Sequence, residues 1–140
     1  MKYLVAGSTG LIGKNLINIL SENHQVTALT RRDYKFPENV DQLILNYENS
    51  FELPQADHLF ICLGFPVELL DLIVMRGSVK KLFYKVDYDY VCHLAEKAKS
   101  NGIENVSVIS AVGAHAKSLN YYLKIKGLME QKLKSLNYKK

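Results

Sequence analysis

Apolar residues follow two rhythms along this chain. Tyr3-Leu4-Val5-Ala6 is a short apolar run that stops at a glycine. From Leu11 the rhythm changes, and Leu11, Ile12, Leu16, Ile17 and Leu20 recur at helical spacing. The succession predicts a strand, a tight turn and a helix. Gln25 to Thr30 predicts a second strand and Gln42 to Asn46 a third. His58 to Leu63 is nearly all apolar, as expected of a parallel strand covered on both faces. Asp87 to Ser100 predicts a helix with Val91, Leu94, Ala95 and Ala98 on one face. Val106 to Ser110 predicts a fifth strand, and Leu119 to Leu136 a last helix. Strands that alternate with helices predict an α/β domain with a parallel sheet and crossover helices.

Two stretches fit this alternation poorly. Asp33 to Val40 contains Pro37 and is expected to be a loop. Phe65 to Lys85 holds an apolar piece, Val67 to Met75, that predicts either a helix over the sheet or a lid.

Composition narrows the function classes. The 140 residues suit a single domain spanning 1–140, and 48% hydrophobic residues suffice for a core. Part of the net charge of +4 comes from Lys132, Lys134, Lys139 and Lys140, a pattern expected of a solvated helix face. Nucleic-acid binding would need cations gathered with aromatic partners, so none is expected. No apolar run approaches the roughly 18 residues that span a bilayer, so no membrane partner is expected. Cys62 and Cys92 stand far apart, and His24, His58, His93 and His115 are scattered, so no metal site is expected. Without a secretion signal, the expected location is the cytoplasm, with reduced thiols.

The strongest chemical signal is Gly7-Ser8-Thr9-Gly10-Leu11-Ile12-Gly13, between the first strand and the first helix. Glycines spaced this way let the chain turn sharply, approach a pyrophosphate and pack the helix closely on the sheet. The helix N-terminus then aims free N–H groups at the phosphates. Ser8 and Thr9 are expected to add hydroxyl donors. The context predicts a Rossmann-type, doubly wound sheet of five strands in the order 3-2-1-4-5, binding a dinucleotide. The second strand ends in Thr30-Arg31-Arg32, where two guanidiniums suit a 2′-phosphate, so NADP(H) is favoured over NAD(H). Asp33 is the alternative, as a ribose-binding acid. Leu63 and Gly64, closing the fourth strand, are expected to let the cofactor approach.

Tyr122 and Lys126 stand four apart on the last predicted helix, and Ser110 ends the fifth strand. A lysine beside a tyrosine is expected to lower the phenol pKa, so that Tyr122 exchanges a proton with a substrate oxygen that Ser110 also holds. With nine tyrosines in the chain, one such spacing is expected by chance. The weight comes from position, after a strand-terminal serine in a chain that opens on a nucleotide turn.

Taken together, VAGSTGLIGKNL, VTALTRR, ICLG, KVDYDYV, VISAVGA and YYLKIKGLMEQKL occur in an order that resembles the atypical short-chain dehydrogenase/reductases, in particular the Tat-interacting-protein-like oxidoreductases. The resemblance covers nearly the whole chain. It implies NADP(H) held by Gly7, Gly10, Gly13, Arg31 and Arg32, with Ser110, Tyr122 and Lys126 in the catalytic positions. Two departures stand out: Phe65-Pro66 opens an apolar segment where the family usually has threonines, and family members continue past this chain's last residue with a further strand and a substrate-binding region. Relative to its family the chain is therefore expected to be truncated, or to pair its bare fifth strand with a second copy. The expected function is an NADP-dependent oxidoreductase acting on an unidentified small carbonyl or hydroxyl substrate. The alternatives are a non-catalytic NADPH-binding sensor and a structural protein without a ligand.

Overall fold

Five parallel strands pair in the order β3-β2-β1-β4-β5 in the computed structural model, which describes residues 1–139. They are β1 (Lys2–Ala6), β2 (Gln25–Thr30), β3 (Val40–Ile44), β4 (His58–Ile61) and β5 (Val106–Val108). This is the sheet the sequence predicts. The chain steps one way from β1 through β2 to β3, then crosses back to β4 on the other side of β1. A crevice opens at the carboxyl ends of β1 and β4, the place where open α/β sheets bind ligands.

Helix α1 (Leu11–Ser21) covers one face of the sheet, with Ile17 against Val5, Val26, Ala28 and Val40. The other face carries the larger core, where Leu4, Leu29, Leu59 and Ile61 meet Leu94 and Ala95 and also Met129 and Leu133. The first of these pairs lies on α4 (Val91–Ser100) and the second on α5 (Tyr121–Ser135). Within each strand alternate residues face α1 and the α4–α5 pair. That is why β1 and β4 read as unbroken apolar runs.

Several boundaries move. β3 starts at Val40, which pairs with Val26, and Asn46 belongs instead to a turn where its side chain accepts from the Glu48 N–H. β4 and β5 end two residues before the predicted Leu63 and Ser110. The expected loop from Asp33 is present but ends at Asn39, one residue short of Val40, with Tyr34 and Phe36 packed 4.8 Å apart and Lys14 of α1 over the Tyr34 ring.

The segment after β4 forms α2 (Leu69–Ile73) and α3 (Gly77–Tyr84). It does not lie over the sheet. Met75 and Phe83 pack with Ile125 and Tyr122, near the start of α5, in a separate apolar cluster. Asn120 Nδ2 donates to the Leu72 carbonyl at 2.6 Å and ties α2 to the α5 N-terminus. Between α3 and α4, Lys85–Tyr90 forms a π-helical segment, so the helix predicted to begin at Asp87 has already run for several turns.

Candidate functional site

The glycine turn fills the mouth of the crevice between β1 and β4. Gly7 has φ +73°, and a Cβ placed on it would stand 2.4 Å from the Cys62 carbonyl oxygen at the end of β4. Gly13, in the first turns of α1, sits so close that a Cβ there would lie 2.3 Å from the Gly7 carbonyl oxygen. The two glycines therefore lock strand, turn and helix together. Gly10 differs: its φ is −78°, and a Cβ would meet the Gly7 oxygen at only 3.3 Å. It opens α1 without a side-chain cap, and no acid occupies the first helical turn. Leu11 and Ile12 are exposed there. A helix end so left, with exposed residues and an uncapped positive end, is suited to an anion.

The other predicted groups on this rim are placed as follows. Ser8 is buried, and its hydroxyl donates to the Leu29 carbonyl at 3.0 Å. It braces the turn against β2, which corrects the expectation that it offers a hydroxyl donor outward. Thr9 is exposed. Arg31 and Arg32 follow β2 directly and are both exposed. Burial pushes the Tyr47 phenol up to about 12, and the Arg31 charge pulls the other way. Asp33 lies past the strand end, exposed, and its Oδ1 accepts from Gln42 Nε2 at 3.2 Å. Thr30, the last residue of β2, is buried with its hydroxyl unpartnered among the described residues. Leu63 and Gly64 follow β4 as extended chain, and Gly64 is exposed with open space around it. The glycine cradle and the uncapped helix end fit the pyrophosphate of a dinucleotide.

Of the proton-transfer candidates, Tyr122 and Lys126 lie in the first turns of α5, while Ser110 is bonded to Glu130 farther along that helix. Lys126 is 3% exposed and its Nζ lies 2.6 Å from Asp87 Oδ1, with Asp87 itself 1% exposed. Lys126 also donates to the Ile109 carbonyl at 3.3 Å. The other Asp87 oxygen accepts the Phe65 N–H at 2.8 Å, so one carboxylate joins the π-helical segment, α5 and the chain leaving β4. Tyr122 is half-buried, its ring 5.1 Å from that of Phe83. Burial raises its phenol above the ordinary tyrosine value, and the Asp87 charge raises it further. The sequence predicts the opposite direction. The difference arises first from burial of the phenol and second from a carboxylate, Asp87, that pattern reading did not anticipate. Ser110 donates to Glu130 Oε1 at 2.6 Å, so in this arrangement its hydroxyl proton faces α5.

Asp87 and Gly127 are the functional positions that sequence reasoning missed. A Cβ on Gly127 would lie 2.3 Å from the Ala116 nitrogen, so glycine seats the loop between Ser110 and Tyr122 on α5. Asp87 carried a signal: it stands one helical turn before Val91, on the apolar face of its helix. Among the described residues no group of His, Cys, Asp and Glu side chains could hold a metal ion, and no helix is long and apolar enough to cross a membrane.

The arrangement agrees with comparisons to known proteins. Residues 3–128 match the model of the NAD dependent epimerase/dehydratase family. The chain belongs to that family. It is 33% identical to protein HTATIP2 of Rattus norvegicus over 145 aligned positions, which cover 96% of this chain and 57% of that protein. It is 32% identical to the mitochondrial protein FMP52 of Saccharomyces cerevisiae, covering 99% of this chain and 62% of the relative. The chain thus spans about three-fifths of these curated relatives. The resemblance to the atypical short-chain dehydrogenase/reductases holds in these matches. Among solved structures, the UDP-glucuronic acid 4-epimerase from Bacillus cereus in complex with NAD superposes with a TM-score of 0.73 at 16% identity, covering 99% of this chain and 53% of that one. The UDP-glucose 4-epimerase from Thermotoga maritima gives 0.72 at 17% identity, covering 99% and 52%. At such identities these two establish the fold alone. The FMP52 relatives from several yeasts are named mitochondrial, which corrects the expected cytoplasmic location. Free thiols such as Cys62 and Cys92 suit either compartment, so that sequence cue had no power to separate them.

Gly10 allows a test of the turn that leaves the fold nearly untouched. Gly10→Ala is expected to keep thermal stability within about 1 kcal/mol, because its φ is ordinary and its single close contact is mild. The methyl group would stand on the surface a pyrophosphate must approach. NADPH affinity is expected to fall at least tenfold, measured by fluorescence titration beside a melting curve.

Proposed function

We propose that this chain binds NADP(H) and that its fold serves an oxidoreductase acting on a small carbonyl or hydroxyl compound, with Tyr122 as proton donor and acceptor. The observation that carries this reading is the position of Tyr122 and Lys126 one turn apart on α5, against the chain that leaves the carboxyl ends of β4 and β5. The dinucleotide would rest on Gly7, Gly10, Leu11, Ile12 and Gly13, with Arg31 and Arg32 at the 2′-phosphate and Leu63 and Gly64 beside its reactive end. When bound, it supplies the hydride. Tyr122 gives a proton to the substrate oxygen or takes one from it, and Lys126 fixes the tyrosine's surroundings from inside the core. Ser110 can hold the same oxygen once its hydroxyl turns from Glu130.

A second reading is favoured by the Ser110–Glu130 bond. A serine committed to a carboxylate suits a module that binds NADPH and senses it without turning over substrate. The two are separated by incubating the purified chain with NADPH and a panel of aldehydes and ketones, with NADPH absorbance as readout. Consumption that depends on the carbonyl supports the oxidoreductase. NADPH binding without consumption across the panel supports the sensor.

The cofactor preference has its own test. Replacing Arg31 and Arg32 together by alanine is expected to weaken NADPH binding about 10- to 100-fold, since charge-assisted bonds to a phosphate are lost. NADH affinity is expected to stay as it was. Equal loss for both nucleotides would remove the arginines from the 2′-phosphate site.

A further inference from the structure

The buried ion pair poses a physical question. A lysine four residues from a tyrosine usually lends it positive charge and favours the phenolate. Here the ammonium of Lys126 lies 2.6 Å from a carboxylate that is itself almost wholly buried. In a site of low dielectric such a partner matters as much to neighbouring groups as the lysine does.

We propose that Asp87 is a positioning residue that sets the proton state of Tyr122: by pairing with Lys126 inside the core it withholds the lysine's charge from the phenol, so the phenol keeps its proton and works as a donor. The proposal rests on the reading of Tyr122 as the acid, and it gives that reading a direction. A tyrosine held in its neutral form is ready to protonate a carbonyl oxygen. In that step Tyr122 would give its proton to the carbonyl oxygen while the carbonyl carbon took the hydride that a bound NADPH would supply, so C=O would become CH–OH and the nucleotide would leave oxidised. The phenolate then recovers a proton from solvent. Oxidation of an alcohol needs the phenolate first and is disfavoured at neutral pH.

Three observations support this. The geometry is fixed from three sides, because the Asp87 carboxylate is held by Lys126 and by the Phe65 N–H while Lys126 is also held by the Ile109 carbonyl. The π-helical segment is the device that brings an acid to this place. Such segments insert a residue into a helix and occur often at functional sites. The phenol itself is raised, by burial first and by Asp87 second.

The other polar groups around the cluster leave this balance in place. From α3 come Lys80, which sits over the Tyr121 ring, and Tyr84. The π-helical segment adds Tyr88, stacked on Tyr84. From α5 come Tyr121 and Glu130, the latter occupied by Ser110. Tyr84, Tyr88 and Tyr121 are all raised by burial and so carry no charge in the neutral range.

The test follows Tyr122 directly and needs no substrate. Protein labelled with ¹³C at the tyrosine ζ carbon is titrated by NMR, and the Tyr122 signal is assigned by its loss in Tyr122→Phe. In Asp87→Asn the Tyr122 titration is expected to move down by about one pH unit or more, because the anion beside it is gone. Asp87→Glu, which keeps the charge, is expected to restore the wild-type position. Where a carbonyl substrate is in hand, the alkaline limb of the reduction rate should move down with the titration.

Asp87→Asn leaves Lys126 as a lone buried cation and can unfold the chain. Asp87→Asn combined with Lys126→Met removes both charges and preserves a neutral core. In that variant the two opposed charges leave together, so Tyr122 is expected to titrate close to wild type, while Lys126→Met alone, which leaves the Asp87 charge uncancelled, is expected to move it up. A Tyr122 unmoved in folded Asp87→Asn or folded Lys126→Met, or moved by about a pH unit or more in the double variant, overturns the proposal. The reading of Tyr122 as a catalytic acid fails separately, if Tyr122→Phe keeps full turnover while the titration shift is present.

Discussion

Gly13→Ala is expected to destabilise the chain by about 3 kcal/mol or more, a large part of the roughly 5–15 kcal/mol that holds a domain of this size together. The added Cβ would lie 2.3 Å from the Gly7 carbonyl oxygen and 2.8 Å from its carbon. Both are backbone atoms of the turn, so no side chain can swing aside. Helix α1 must lift from the sheet, and Ile17 then loses its seat on Val5, Val26 and Ala28. Gly7→Ala is expected to behave alike, since it adds a positive φ to a 2.4 Å contact with Cys62. Urea unfolding followed by circular dichroism measures both. Wild-type stability in Gly13→Ala would contradict the close packing of turn on helix. The contrast with Gly10→Ala is informative, because close backbone packing requires glycine at Gly13 and not at Gly10.

Tyr122→Phe is expected to reduce turnover of any carbonyl that the protein accepts by about 10²- to 10⁴-fold, the usual weight of a positioned acid. Its ring packs on Phe83, and phenylalanine keeps that contact, so stability and NADPH affinity should hardly change. That combination separates a chemical role from a packing one. The measurement is single-turnover NADPH oxidation at saturating nucleotide, with a melting curve alongside. A variant that turns over like wild type places the proton donor elsewhere.

The fold was legible because its signals reinforce each other. A strand ending in the glycine turn, a helix at regular spacing and then strands alternating with helices leave few topologies open. The boundaries were less legible, since sheet register decides them. Val40 joins β3 because it pairs with Val26, and nothing local marks it out from the loop before it. The glycines and the Tyr122–Lys126 pair could be found by spacing because they sit on single elements. Asp87 shares such a spacing, one turn before Val91, but a competing reading hides it. An acid that opens an apparent helix looks like a favourable first-turn residue, but the helical chain has been running since Gly77 and Asp87 lies in its interior. Its partner Lys126 is on another element far along the sequence, as Glu130 is for Ser110. Contacts of that range appear only in the folded chain.

The most direct test of the account is a fluorescence titration of the folded chain with NADPH, run beside NADH and repeated with Gly10→Ala. The account predicts saturable binding that favours NADPH and is lost in the variant while the variant stays folded. A folded wild-type chain that binds neither nucleotide, or a Gly10→Ala protein that binds NADPH as tightly as wild type, would contradict it.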